Sequence, residues 1–476
     1  MGMAAGRFWK REFPKSVVRG YTMALGGGLR KNGDRMNLGR AFDPRYNALN
    51  AWRLLLAAEV IFVHSWGATG RTLSLKPVYQ LLLCVGVDGF FAISGFLITA
   101  SWLSNPRVRD YFAARALRIL PGFYVCLIIT AFVLAPIGVA MQGGSAIKLF
   151  ASGAPLQFLL ENSAVAMVKF DIGGTPQGVP VAGNWNGSLW SLIWEVMCYL
   201  IVAGIGVIGL ANRRWVSPAI FVLALIGASL LPPLTSPEEM THQQSNMLVA
   251  LMFLACRTAI MFASGAILYQ WRDKIPARWS LVAVSLVIVA AASLLPDYRM
   301  VAAIPLAYAI IVSGALIHNK RLRLRTDLSY GVYIYAFPIQ QLLVIGGLMW
   351  LNPFAFFVVA TIATLPLAAG SWFLIENPAR SLKRRLTRKW SPPDLAEGSD
   401  HGGAAVDLGA DRPSLGTPTT QPSAQHPEMI NTQGAVAPTG RCSGSHAGEP
   451  ERQPILDSVA LRWRRERTRG TTSGAG

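Results

Sequence analysis

Ten stretches of about 17–25 mostly apolar residues, divided by short polar segments, limit what this 476-residue chain can fold into. They lie near 51–68, 80–103, 118–140, 188–210, 217–233, 249–270, 279–296, 300–318, 328–349 and 354–375. A helix of that length crosses a bilayer and satisfies its own backbone in lipid. Only 14% of the residues are charged and 52% are hydrophobic, whereas a soluble domain carries about 25% charged residues. The expectation is an all-α membrane protein of about ten transmembrane helices. The stretch 148–168 is interrupted by Pro155, Glu161 and Asn162, and is read as an interfacial or re-entrant helix in a long loop.

The loops alternate in charge. Arg107, Arg109 and Arg115 follow the second stretch, Arg213 and Arg214 the fourth, and Arg272, Lys274 and Arg278 the sixth. Lys320, Arg321, Arg323 and Arg325 follow the eighth, and Arg380, Lys383, Arg384 and Arg385 the tenth. The intervening loops are poor in cations; one carries Glu238 and Glu239, and 141–187 has only Lys148 and Lys169. The positive-inside rule then puts both termini in the cytoplasm. Three regions follow: a basic extension over 1–46, a membrane domain over 47–385, and a Gly-, Pro-, Ser- and Thr-rich tail over 390–476, expected to be disordered and cytoplasmic. No compact apolar leader of the secretory kind opens the chain. The net charge of +19 does not point to nucleic acid, because the cations sit between apolar blocks and in the tails, with no nucleic-acid motif. Cys84, Cys126, Cys198, Cys256 and Cys442 are widely spaced without a CxxC pair, so neither a disulfide framework nor a metal site is expected.

Ionisable side chains inside spans are functional candidates by default. They are Arg53, Glu59, His64, Asp88, Glu195 and Arg257. Arg53 and His64, eleven residues apart, share a helix face and are separated by about 16 Å along the axis. An arginine at the inner mouth suits a phosphate-bearing ligand, or serves as a membrane anchor. The histidine suits proton transfer, or an interhelical hydrogen bond. Glu59, about 140° around the helix from His64, is read as structural. In GVDGFFAISGFLITAS (86–101), Gly86, Gly89, Gly95 and Ser94 permit close helix approach, and Asp88 can orient a partner. Arg115 and Arg118 share a face, and Pro121 is expected in the first turn of its span. In NWNGSLWSLIWEVMCY (184–199), Asn186 or Ser188 is expected to cap a helix, and Trp185, Trp190 and Trp194 to form an interfacial belt. Glu195 is expected to pair with His64 or Arg257, in either an ion pair or a catalytic role.

Arg53 and His64 as R-x10-H, FFAISGFLI (90–98), RALRILPGFY (115–124), NGSLWSLIWEV (186–196), LSYGVYIYAFPIQ (328–340) and IENPAR (375–380) occur in this order. Together they resemble acyltransferase family 3, the bacterial integral-membrane O-acyltransferases, over residues 47–385. The resemblance implies an inner-membrane enzyme that takes an acyl group from acyl-CoA, commonly acetyl-CoA, and needs no metal. The acceptor would be a hydroxyl of a surface glycan, a lipid-linked sugar or another glycoside. It makes His64 the essential histidine, Arg53 its paired arginine, and Arg115 and Arg118 the basic pair. With the reading of the buried polar residues above, His64 and Glu195 are expected to be catalytic. Arg53, Arg115 and Arg118 are expected to bind the donor, and Asp88, Ser94 and Ser188 the substrate. The chain departs from many glycan-modifying members in having no hydrolase-like domain after residue 390, and in carrying Glu59 where the family is apolar. A transporter of lipid-linked sugars is the rival class, since it also buries charges in a helix bundle.

Overall fold

The computed structural model describes residues 36–73, 76–231, 247–324 and 326–382. Most of the basic extension, Glu238, Glu239, His242, Arg325, Lys383, Arg384, Arg385, Cys442 and the tail expected over 390–476 lie outside the described residues.

Within them the chain is helical and has no sheet; its extended pairings are two isolated bridges. A short α1 (Leu38–Ala41) precedes α2 (Leu49–Ala68) and α3 (Lys76–Ser104). Next, α4 (Val108–Ile129) continues through a π-helical turn (Thr130–Leu134) into α5 (Ala135–Met141). Two short helices, α6 (Ala146–Ala151) and α7 (Ala154–Glu161), lead to a 3₁₀ turn (Gly187–Leu189) and α8 (Trp190–Val207). The chain then forms α9 (Val216–Ser229), α10 (Met247–Gln270), α11 (Trp279–Ala292) and α12 (Arg299–Leu316). It closes with α13 (Ser329–Ile345) and α14 (Pro353–Ser371), the latter running into a second π turn (Trp372–Glu376).

By length and composition, six helices among the described residues can cross a membrane: Gln80–Ser104, Val108–Met141, Gly187–Val207, Leu248–Gln270, Arg299–Leu316 and Pro353–Leu382. Helices α9, α11 and α13 are apolar but shorter. Helix α2, with 20 residues, carries Arg53, Glu59 and His64. Large apolar side chains stand on outward faces, among them Leu223, Val287 and Leu374. Water would penalise such a surface and hydrocarbon does not. The protein is therefore a multi-pass membrane protein. The segment 148–168 is not a span: α6 and α7 have 6 and 8 residues.

The interior forms around α13, which is buried at every position from Ser329 to Gln341 and packs on α2 and α14. Helix α3 packs on α2, α8 and α10. Its contact with α10 depends on two glycines. A Cβ on Gly95 would fall on the Phe262 carbonyl oxygen, and one on Gly265 would fall on that of Ala92. The close approach expected for Gly86, Gly89 and Gly95 is thus present; a Cβ on Gly86 would meet the Glu59 carboxylate, and one on Gly89 the Leu56 side chain.

Three local expectations are corrected. Pro121 is not in a first turn, because α4 begins at Val108 and Pro121 lies in its interior. Hydropathy places the start at 118, but the polar turns before it are helical too. Neither Asn186 nor Ser188 caps α8, whose cap position is Leu189; Asn186 Nδ2 donates instead to the Ile334 carbonyl at 2.9 Å. Trp185 is fully buried, with Nε1 donating to Thr175 Oγ1 at 3.0 Å, and so belongs to no belt. It anchors the long connection over α13, where Gln341 Nε2 donates to the carbonyls of Val181 and Asn184.

Candidate active site

Asp327, two residues before the start of α13, is the polar anchor of the site. Its Oδ2 accepts one N–H each from Arg53 of α2 at 3.3 Å, Arg118 of α4 at 3.2 Å, and Arg380 beyond α14 at 3.2 Å. Ser329 Oγ donates to the other oxygen at 2.6 Å. Burial pushes the Asp327 carboxyl up, but Arg118, Arg53 and Arg380 outweigh it and hold the group well below the usual carboxylate range. All three arginines bond the same oxygen through a single N–H. A guanidinium has five donors, so each keeps others for a further anion.

Above this node, a cleft of about 580 Å³ runs between α2, α3, α4, α8 and α13. Arg53, Arg118, Ser94 and Glu195, four of the residues expected in the site, line it together with Ser191 and Tyr333. Glu195 pairs with neither His64 nor Arg257. It accepts from Ser94 Oγ at 3.3 Å and, through a short hydrogen bond, from Tyr199 one turn along α8. Tyr333 OH donates to the Ser188 carbonyl at 2.7 Å and meets Ser191 Oγ at 2.6 Å. These two hydroxyls form a polar pair on the wall. Ser188 is buried next to the cleft, and its own hydroxyl has no protein partner.

Arg115 lies outside the lining. Its Nη2 donates to Ser101 Oγ at 2.9 Å, and its guanidinium lies 5.8 Å from the ring centroids of both Tyr111 and Tyr199. His64 also lies outside it. Phe337, one turn beyond Tyr333 on α13, sets its ring edge-on to the imidazole at 5.4 Å between centroids. His64 Nδ1 is 2.7 Å from the Val60 carbonyl. A carbonyl only accepts, so Nδ1 carries the proton and Nε2 of the neutral ring holds the free lone pair.

Asp88 is a correction. Expected to touch substrate, it is fully buried and both its oxygens are engaged. Arg257 Nε donates to one at 3.1 Å, while Arg299 Nε donates to the other at 2.6 Å, joined there by Tyr298 OH. Arg299 also reaches Asp297 at 3.0 Å, and Arg257 stacks on Trp190 at 5.7 Å, which braces the start of α8. These side chains form one buried ion cluster, and Asp88 does not line the cleft.

Sequence reasoning gave no role to Asp327, Arg380, Tyr199 or Tyr333. A lone carboxylate after the cations Lys320–Arg325 was the available signal for Asp327.

The model of a family described as an acyltransferase domain, acyltransferase family 3, matches residues 46–373. The chain belongs to acyltransferase family 3. It is therefore an enzyme that transfers acyl groups other than aminoacyl groups, which decides against the transporter class. The chain is 27% identical to nodulation protein 10 of Rhizobium leguminosarum bv. viciae, over 72% of its own length and 95% of that protein's. It is 26% identical to an O-acetyl transferase of Shigella phage Sf6, over 74% and 98% of the two chains. No solved structure matches.

Proposed function

We propose that this acyltransferase moves an acetyl group from acetyl-CoA to a hydroxyl of a surface glycan, a lipid-linked sugar or another glycoside at the bacterial inner membrane. The observation that carries the proposal is the cleft whose floor holds Arg53 and Arg118 on a single Asp327 oxygen and whose wall holds Ser94, Glu195, Ser191 and Tyr333. The phage relative's name supports acetyl as the group transferred. The loop charges support ten spans with both termini cytoplasmic, so that the arginine floor faces the cytosol and its CoA.

The remaining N–H groups of Arg53, Arg118 and Arg380 bind the CoA phosphates, with Arg115 beside them. The pantetheine arm rises along α3, and the thioester carbonyl reaches the Ser191–Tyr333 hydroxyl pair. His64 Nε2 takes the proton of an acceptor hydroxyl that arrives from the opposite end. The oxygen attacks the thioester carbon, and the oxyanion is held by the Tyr333 hydroxyl, whose proton turns to it from the Ser188 carbonyl. Collapse breaks the C–S bond, and the CoA thiolate takes the proton back from the imidazolium. For this transfer the Phe337 ring, which packs edge-on against His64, moves to open the imidazole to the cleft. Glu195 fixes Ser94 and Tyr199 on the wall.

Transfer of label from acetyl-CoA to acceptor in membranes bearing wild type, His64→Ala or His64→Gln tests the base. Both variants are expected to lose transfer while acetyl-CoA still raises the melting temperature of the purified proteins. Unimpaired transfer by His64→Ala would sink the assignment. Equal stabilisation of wild type and Arg118→Gln by acetyl-CoA would sink the donor site.

A further inference from the structure

A second cavity lies apart from the active-site cleft, between α3, α8, α9 and α10. It is a partly open slot rather than an enclosed void. Its walls are hydrocarbon, with Trp102, Ile201, Ile220, Phe262 and Ala263 among them. Ile201 is 50% exposed, so the slot opens to the bilayer side of the bundle.

Its polar end is built differently. Gln270, the last residue of α10, lines the slot and is only 8% exposed. Its Nε2 donates to the Ala211 carbonyl at 3.2 Å, while its buried Oε1 has no hydrogen-bond partner. The neighbouring Trp271 leaves its buried Nε1 equally without one. Two exposed cations flank that indole, Lys274 at 4.9 Å and Arg214 at 6.0 Å from the ring centroid. A buried acceptor or donor without a partner is destabilising, so each such group calls for an occupant to complete it.

An apolar slot ending at an open acceptor, next in the chain to an indole whose N–H is open and which two cations flank, has the polarity pattern of a phospholipid. An acyl chain fills the slot, the phosphate meets Lys274, Arg214 and the Trp271 N–H, and a headgroup hydroxyl donates to Gln270 Oε1. A zwitterionic headgroup would bring its own cation against Arg214 and Lys274, whereas an anionic one with hydroxyls does not. We infer that this slot is a specific site for one anionic glycerophospholipid with a hydroxylated headgroup, of the phosphatidylglycerol type. Cys198 is part of the slot wall, and the next residue, Tyr199, donates to Glu195, so an occupied slot steadies the α8 turn that shapes the active site. The inference does not rest on the chemistry proposed for the active-site cleft.

The test uses the purified full-length chain in mild detergent, with retained lipid counted by native mass spectrometry and added lipid followed by thermal shift. One phosphatidylglycerol per chain is expected to survive delipidation and, when added back, to raise the melting temperature. Phosphatidylethanolamine is expected to do neither. The double variant Arg214→Gln with Lys274→Gln changes only exposed side chains, and should weaken phosphatidylglycerol about tenfold. Ala263→Phe fills the slot and should abolish retention. Should that variant fail to fold, Gln270→Leu removes the open acceptor at similar volume and should also lose lipid. Equal retention of the two lipids, or no change in both the double variant and Gln270→Leu, would overturn the site. Displacement of the lipid by a long-chain acyl-CoA would overturn it too, since the slot would then belong to the donor.

Discussion

Among the described residues two buried aspartates collect arginines, and they hold them in different geometries. Asp88 uses both oxygens, each bonded by an arginine Nε, with Tyr298 completing the set. Asp327 gathers three guanidiniums on one oxygen, each through one N–H. Removing one partner of a buried ion pair leaves an uncompensated charge, at about 3–5 kcal/mol. Asp88→Asn should therefore lower the melting temperature steeply, and no ligand should restore it. Asp327→Asn should also destabilise, but CoA should recover much of the loss by supplying phosphate to the same arginines; melting with and without CoA distinguishes the two. Tyr333→Phe keeps the ring and loses bonds to Ser188 and Ser191. It should cost about 1 kcal/mol in stability and lower kcat about 100-fold, as expected for a lost oxyanion donor. Unchanged kcat would remove the hydroxyl pair from the mechanism.

At the scale of elements, the α3–α10 crossing is the tightest contact to test. Gly95→Ala puts a methyl on the Phe262 carbonyl, backbone that cannot swing aside. Overpacking of this kind costs about 1–3 kcal/mol, so the solubilised variant should melt earlier, and Gly95→Leu should not yield folded protein. Gly204, whose added Cβ meets nothing within 4 Å, is the control, and Gly204→Ala should melt like wild type. The all-helical membrane class and this glycine contact were legible in the sequence because apolar length and small-residue spacing are local signals. Their ends were less so: α4 begins ten residues before its apolar part, and α8 starts without the side-chain cap that Asn186 and Ser188 advertise. The site was half legible. Arg53, Arg118, Ser94 and Glu195 stand out as polar groups in apolar runs, and they do converge. Asp327 does not stand out, because its partners lie 274, 209 and 53 residues away and it sits among loop cations that look like ordinary anchoring charge. Asp88 misled for the opposite reason: an isolated carboxylate in a span looks available until Arg257 and Arg299 are folded onto it.

For the whole molecule, orientation is the testable quantity. Single cysteines introduced at Ser145 and Gly183, in the long connection between α5 and α8, should react with a membrane-impermeant maleimide in intact cells. One at Arg213, between α8 and α9, should react only after permeabilisation. The reverse pattern would place the arginine floor away from cytosolic CoA and remove the proposed donor route. The Asp327 node adds a constraint in time. It joins α2 and α4, near the start of the described fold, to a loop before α13 and to Arg380 beyond α14. During synthesis Arg53 and Arg118 are inserted long before the carboxylate that neutralises them, and Arg380 arrives last. The three-arginine cluster is thus completed only when the last described helix docks, so a ribosome stalled within α14 leaves a membrane-inserted chain in which the proposed donor site is still unfinished.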